Sequence, residues 1–195
     1  GGEFSADTRD HFNRIISAAQ RMQTLILALL KYSRMNTSQM KFEMTDLNSM
    51  VENVKRSIIE QVEETHASIE AAPLPSLRII PDQFHQLLSN IFLNAIKYRR
   101  PGVKPVIKVM GDVVIAEEVP GLNNPISEKY YQISVSDNGI GFEQKYAEKI
   151  FELFERLHGR SEYEGTGIGL SICKKVMQNH KGIITARGFP GEGAV

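Results

Sequence analysis

This chain predicts an α/β fold, one domain with a helical appendage in front of it, on three observations. Residues 7–35 contain neither Pro nor Gly and carry apolar side chains in alternating steps of three and four. Beyond them, helical patterns alternate with short runs rich in β-branched and aromatic residues. Glycine-rich loop chemistry then gathers between Asp137 and Gly169.

Composition narrows the function classes. With 195 residues, 42% hydrophobic and 24% charged, the chain is long enough to bury a core and too balanced for a disordered tail. Lys+Arg and Asp+Glu number 23 each, so no global positive excess exists to grip a nucleic acid or an anionic membrane, and any anion binding must be local. One cysteine, Cys173, excludes an intrachain disulfide framework and a multi-cysteine zinc site, and fits a reducing compartment. No apolar run approaches the roughly 18 to 20 residues that span a bilayer, and nothing reads as a signal peptide. A soluble, cytoplasmic domain without direct membrane contact is expected.

Taken in order, Phe12, Ile15, Ala19, Met22, Ile26 and Leu29 form a heptad seam. Ile16, Leu25 and Leu30 widen it, as suits a helix in a multi-helix bundle. The polar stretch 36–41 reads as a linker. A second helix is expected from Thr45 or Asp46, either able to cap it, with Leu47, Val51, Val54, Ile58 and Val62 on one face. Residues 67–71 and 77–80 read as short strands around Pro73 and Pro75, and Asp82, after Pro81, as the cap of a third helix running to Tyr98. Strands are expected over 106–115 and 130–136, joined by a polar insertion over 116–129 whose purpose the sequence does not reveal. A helical stretch over 146–157, a helix over 168–179 and a last strand over 183–187 complete the order.

Three pieces carry chemistry. Asn90, Asn94 and Lys97, spaced i, i+4, i+7, lie within about 40° on one helix face, and Gln83 and Gln86 extend the row. Amide oxygens beside one Lys suit Mg²⁺ held together with phosphate oxygens, although an ordinary wet face is the competing reading. Asp137 ends the alternating series Tyr131, Ile133, Val135, where a carboxylate needs a donor such as a purine ring amine. Gly139 and Gly141 after it let backbone approach a flat ligand, while an Asp-Asn-Gly turn is the plainer alternative. Gly165-Thr166-Gly167-Ile168-Gly169-Leu170 opens a helix whose amides can bind phosphate, but it is neither a P-loop nor a dinucleotide fingerprint.

Together and in this order, the three resemble the motifs of the ATP-binding catalytic domain of sensor histidine kinases, in the superfamily shared with gyrase, Hsp90 and MutL. Asn90 through Tyr98 resembles the N box and Asp137 through Phe142 the first glycine box. Phe151-Glu152-Leu153-Phe154 resembles the F box, Gly165 through Leu170 the second glycine box, and Gly191-Glu192-Gly193 the last. The likeness covers about residues 46–195. Arg21-Met22 through Leu30, then Tyr32-Ser33-Arg34, more weakly resembles the second helix of the dimerisation and phosphoacceptor hairpin.

The resemblance implies a two-layer α/β sandwich of the Bergerat type, a mixed sheet with three helices on one face behind a long N-terminal helix. ATP would lie between the N-box helix and a lid from about Gly141 to Thr166. Asn94 would coordinate Mg²⁺ with Asn90 near the phosphates, Lys97 and Tyr98 would contact phosphate, and Asp137 the adenine amine. Gly139, Gly141, Gly165, Thr166, Gly167, Gly169 and Leu170 would line the nucleotide, and Arg156 would stabilise γ-phosphate charge. It also implies partners: a phosphoacceptor hairpin of the same kinase, a response regulator receiver domain, and a second copy joined through the N-terminal helix. The domains would then run 5–40 for the hairpin helix and linker and 41–195 for the catalytic domain. Residues 1–4, Gly-Gly-Glu-Phe, read as a cloning scar.

The departures matter as well. The acceptor motif, His followed by an acid and Leu-Arg-Thr-Pro, is absent, and His11 precedes Phe12-Asn13-Arg14, so it reads as a solvent-facing helix residue. His66, His85 and His180 read as structural. In the gyrase and Hsp90 branches a glutamate sits four residues before the metal Asn, where this chain has Asn90, so hydrolysis is the disfavoured alternative. A degenerate nucleotide-sensing module is the other.

Overall fold

The computed structural model describes residues 6–34, 41–119, 122, 125, 127–157 and 166–195. The chain forms two compact units, Gly1–Ser38 and Gln39–Val195. The first is one helix, α1 (Ala6–Arg34), as the heptad spacing predicts, with Phe12, Ile15, Met22, Ile26 and Leu29 between 48% and 64% exposed. His11 is exposed, as expected. The expected scar and linker fall mostly outside the described residues.

The second unit is a mixed α/β sandwich. Where the linker was expected to run directly into a helix, Glu43–Asp46 forms a strand, β1, antiparallel to β3 (Ser76–Ile79). Asp46 ends β1 and caps α2 (Leu47–Ser57): its carboxylate accepts from the Asn48 and Ser49 amides and from Ser49 Oγ (2.7 Å), which holds its pKa down at about 2. The single long helix expected here divides. The Val54 carbonyl accepts from both Ile58 N (3.2 Å) and Ser57 Oγ (2.7 Å), Ile58 leaves helical geometry at φ −120 and ψ 25, and α3 (Ile59–Thr65) restarts after it.

Strand β2 (Ser68–Ala71) follows α3, and β3 leads into α4 (Pro81–Lys97). The cap assigned to Asp82 is not there. Pro81, with its fixed φ and no N–H, takes the first helical position, which makes Ile80 the cap residue and leaves Asp82 inside the first turn as a favourable charge for the helix dipole. Strands β4 (Val106–Ile115) and β5 (Lys129–Asp137) pair antiparallel over their full length, and α5 spans Gly169–Asn179.

With two short strands near the C-terminus, β6 (Gly188–Phe189) and β7 (Gly193–Ala194), the main sheet has the order β2-β4-β5-β7-β6, with β2 and β4 parallel and the other pairs antiparallel. Ile107 and Val109 of β4 are fully buried while Lys108 and Met110 are exposed, so one face is packed and one is wet. The packed face meets Leu47, Val51 and Val54 of α2, Leu88 and Phe92 of α4 and Ile172, Cys173 and Val176 of α5 in one core. Burial pushes the Cys173 thiol up to about 12, so it is inert packing.

Two further expectations are corrected. Residues 146–157 form no α-helix. Two 3₁₀ turns, Gln144–Tyr146 and Lys149–Phe151, stand there instead, and Phe154, at φ 66, turns back to give its N–H to the Gly167 carbonyl (3.1 Å). Residues 183–187 form no strand, and beside them the Gln144 side chain donates to the Ala186 carbonyl (3.4 Å) and accepts from the Gly188 N–H (3.0 Å). Pairing starts where Arg187 and Val195 exchange both backbone bonds, and β6 (Gly188–Phe189) and β7 (Gly193–Ala194) form a tight hairpin.

His180, just past α5, is structural. Its Nε2 accepts from the Ile80 N–H (2.9 Å), so the ring proton sits on Nδ1, facing the Val176 carbonyl (2.8 Å), and Phe42 and Phe84 meet the ring edge-on at 5.3 and 5.6 Å. Burial, opposed by the Val176 bond, lowers its pKa below the ordinary 6.5. The folded state therefore binds this proton less readily than the unfolded one. The site costs nothing above pH 6.5 and loses stability as pH falls from there toward the depressed value. Denaturant midpoints at pH 7.5 and 5.0 for wild type and His180→Gln should show the wild type losing its advantage at pH 5.0. An equal gap at both values would contradict this.

Candidate functional site

The N-box row lies on α4 as predicted. Asn90, Asn94 and Lys97 are all half-buried, which sets them apart from an ordinary wet face. Gln83 does not continue the row toward a ligand: it is 6% exposed and its Oε1 accepts from Asn179 Nδ2 (3.1 Å), a bond between α4 and α5. The Nε2 atoms of Gln83 and Gln86 are buried without a protein acceptor. Asn90 Nδ2 donates to the carbonyl of Gly169 (3.2 Å), the first residue of α5, so the N box and the second glycine box are in direct contact.

At the other end of α4, Lys97 Nζ donates to Tyr98 Oη (2.9 Å) and stands 4.3 Å from its ring centre, which pre-positions both side chains. The Tyr98 carbonyl accepts from Ile140 N (2.9 Å), tying the first glycine box to the N box. Asp137 ends β5, half-buried, with Oδ1 accepting from Gly139 N (2.8 Å). Burial raises its pKa, and the Gly139 and Ala194 amides pull it back toward the ionised form.

The glycines divide by what a side chain would meet. A Cβ on Gly139 would lie 2.6 Å from the Tyr98 carbonyl oxygen, and one on Gly141, at φ +63, 2.1 Å from the Phe189 oxygen. At these two positions backbone packs directly on the protein's own backbone, which a side chain would prevent. Gly167, at φ +72, is needed against Phe154 and Glu155. Gly169 is different: its Cβ would meet only Asn90, at 3.8 Å or more, an ordinary contact, so the protein's own packing does not require glycine there. Thr166, Leu170 and Arg156 are half-buried on the flanks of this region, and Gly165 with the lid residues 158–164 lies outside the described residues.

Arg100, Asn138 and Gln144 were not singled out from sequence. They hold the loops through bonds to backbone groups distant in the chain, which no local spacing announces.

Among the described residues no three His, Cys, Asp or Glu side chains converge to hold a metal by themselves. The donor set around α4 consists of neutral amides, which suits a hard cation arriving on phosphate oxygens.

Residues 79–195 match the family described as histidine kinase-, DNA gyrase B- and HSP90-like ATPase, and the chain belongs to it. The Phytochrome-like protein Cph1 of Synechocystis sp. is 34% identical over 96% of this chain and 23% of its own length. The adaptive-response sensory kinase SasA of Synechococcus elongatus is 30% identical over 94% of this chain and 45% of its own, so the chain spans less than half of either relative. Full-length ShkA in complex with AMPPNP shares the fold at a TM-score of 0.68 and 20% identity, over 99% of this chain and 38% of that one. The catalytic domain of histidine kinase ThkA does so at 0.61 and 21%, over 80% and 92%.

Proposed function

We propose that this domain binds ATP with Mg²⁺ and transfers the γ-phosphoryl group to a histidine on a dimerisation helix, for relay to an aspartate of a response regulator. The observation that carries the reading is the meeting of three separate motifs around α4: Asn90 on Gly169 at 3.2 Å and Tyr98 on Ile140 at 2.9 Å. Asn94, supported by Asn90, is the residue for the Mg²⁺, which when bound neutralises phosphate charge. Lys97 and Tyr98 orient phosphate oxygens, the amides at the start of α5 with Thr166 and Leu170 cradle them, and Arg156 meets the charge that develops on transfer. Asp137 accepts from the adenine amine. The freedom of Gly169 from any packing demand of its own fits close approach of a ligand there.

The arrangement speaks against hydrolysis. The position that would carry the base is Asn90, whose carboxamide, unlike a carboxylate, has no basic atom to take a proton from water. The exposed seam of α1 fits pairing with a second copy, and among the described residues no helix is long and apolar enough to cross a membrane.

Incubating the chain with labelled ATP, Mg²⁺ and a separate phosphoacceptor hairpin should place acid-labile phosphate on the hairpin. The chain itself should stay unlabelled, since none of its five histidines is followed by an acidic residue. Phosphate release to water without transfer would favour the hydrolytic reading, and label lost on His11→Ala would make His11 the acceptor.

A further inference from the structure

The first glycine box is held from behind by groups that the phosphate chemistry does not use. Arg100, half-buried three residues past α4, donates from Nε to the Asn138 carbonyl (2.9 Å) and from Nη1 to the Gly191 carbonyl (3.0 Å). The Asn138 side chain is used at both ends: Oδ1 accepts from Val106 N (2.8 Å) and Nδ2 donates to the Lys104 carbonyl (3.0 Å). Gly191 closes the ring by giving its N–H to the Ile140 carbonyl (2.7 Å). The peptide after Asp137 is thereby fixed from the loop beyond α4, from β4 and from the C-terminal hairpin at once.

We propose that Arg100 is a positioning residue for nucleotide-base selection: by joining the Asn138 and Gly191 carbonyls, its guanidinium holds the Asp137 carboxylate where it can accept from the exocyclic amine of adenine. The inference rests on the reading of Asp137 given above. Two features separate the role from that of a surface charge. Both bonds go to backbone carbonyls on segments far apart in the chain, and they leave from one rigid fork, which a lysine ammonium cannot reproduce. On the side of the C-terminal hairpin, β5 meets β7 at the single pair Asp137 and Ala194, and Arg100 adds a side-chain link between the glycine-box loop and that hairpin. A shift of the Asn138 peptide moves Asp137 directly, whereas the phosphate cradle at the start of α5 belongs to a different element.

The test compares calorimetric affinities of the full chain for ATP and for purine riboside triphosphate, which lacks the 6-amine. Wild type, Arg100→Gln, Arg100→Lys, Asp137→Asn and the Arg100→Gln/Asp137→Asn double variant are measured. Wild type should prefer ATP by about 10-fold or more. Arg100→Gln should weaken ATP by about 3- to 10-fold and leave the analogue within about twofold, and Arg100→Lys should not rescue the loss. In the Asp137→Asn background, Arg100→Gln should add less than about twofold. Equal weakening of both nucleotides, wild-type behaviour of Arg100→Lys, or an undiminished Arg100 effect without Asp137 would overturn the proposal. So would loss of the folded state in both Arg100 variants, which would assign the residue to the fold itself. A wild type with no preference between the nucleotides would instead remove the Asp137 reading, and this inference with it.

Discussion

Asp137→Asn is expected to weaken ATP binding about 10- to 150-fold while the domain stays folded, the loss of a charge-assisted hydrogen bond worth about 1.5 to 3 kcal/mol. The geometry explains why so small a change acts so strongly. Asp137 Oδ1 is engaged by Gly139 N at 2.8 Å, a bond that asparagine can keep through its own oxygen. What asparagine cannot keep is a second acceptor, since its other terminal group is an N–H₂ donor, facing the amine donor of the base. The cost is enlarged by burial. Burial disfavours the carboxylate and raises its pKa, the Gly139 and Ala194 amides compensate only in part, and a further donor such as the adenine amine offsets more of that desolvation. Calorimetry of ATP binding with a parallel melting curve checks both halves. An affinity within twofold of wild type would remove Asp137 from base recognition.

How much of this was legible in the sequence depends on how local the cause is. The heptad of α1, the α4 row of Asn90, Asn94 and Lys97, and β4 and β5 follow from periodicity within one element, and they stand where the spacing put them. The break at Ile58 is a change of one residue's backbone angles, φ −120 and ψ 25, which an apolar pattern running through to Val62 conceals. The start of α4 was misread because Asp82 looks like a cap until Pro81 is placed at the first helical position. Near the expected strand over 183–187, Gln144, more than forty residues upstream, bonds the backbone groups on either side of Arg187, a link that local pattern does not announce. The same distance effect hid the support of the site. Arg100, Asn138 and Gln144 act on carbonyls and amides across the chain, and a sequence shows side-chain types but not which backbone groups need them. Nor does a sequence show which backbone a glycine must clear: Gly139 and Gly141 make room for the protein's own carbonyls.

The same close packing of backbone on backbone has a large and testable consequence at Gly193. A Cβ there would stand 1.9 Å from the Asp137 carbonyl oxygen and 2.8 Å from its carbon, and the residue sits at φ +128, a conformation that L side chains rarely adopt. Neither contact is the end of a flexible side chain, so relief requires the backbone of β5 or β7 to move. Overpacking of this kind costs about 1 to 3 kcal/mol and the backbone strain about as much again, so Gly193→Ala should lose about 3 kcal/mol or more. Gly191 provides the control on the same hairpin. It also has positive φ, +79, but a Cβ would meet nothing within 4 Å, so Gly191→Ala should lose only the strain of about 1 kcal/mol. At about 2 to 4 °C per kcal/mol for a domain of this size, melting points should fall by roughly 6 to 12 °C for the first and 2 to 4 °C for the second. The first variant should lose ATP affinity as well, because the atom it displaces belongs to Asp137. Equal shifts in the two melting curves would mean that φ alone governs both sites, and that the close approach of the C-terminal hairpin to β5 contributes nothing to holding the Asp137 carboxylate.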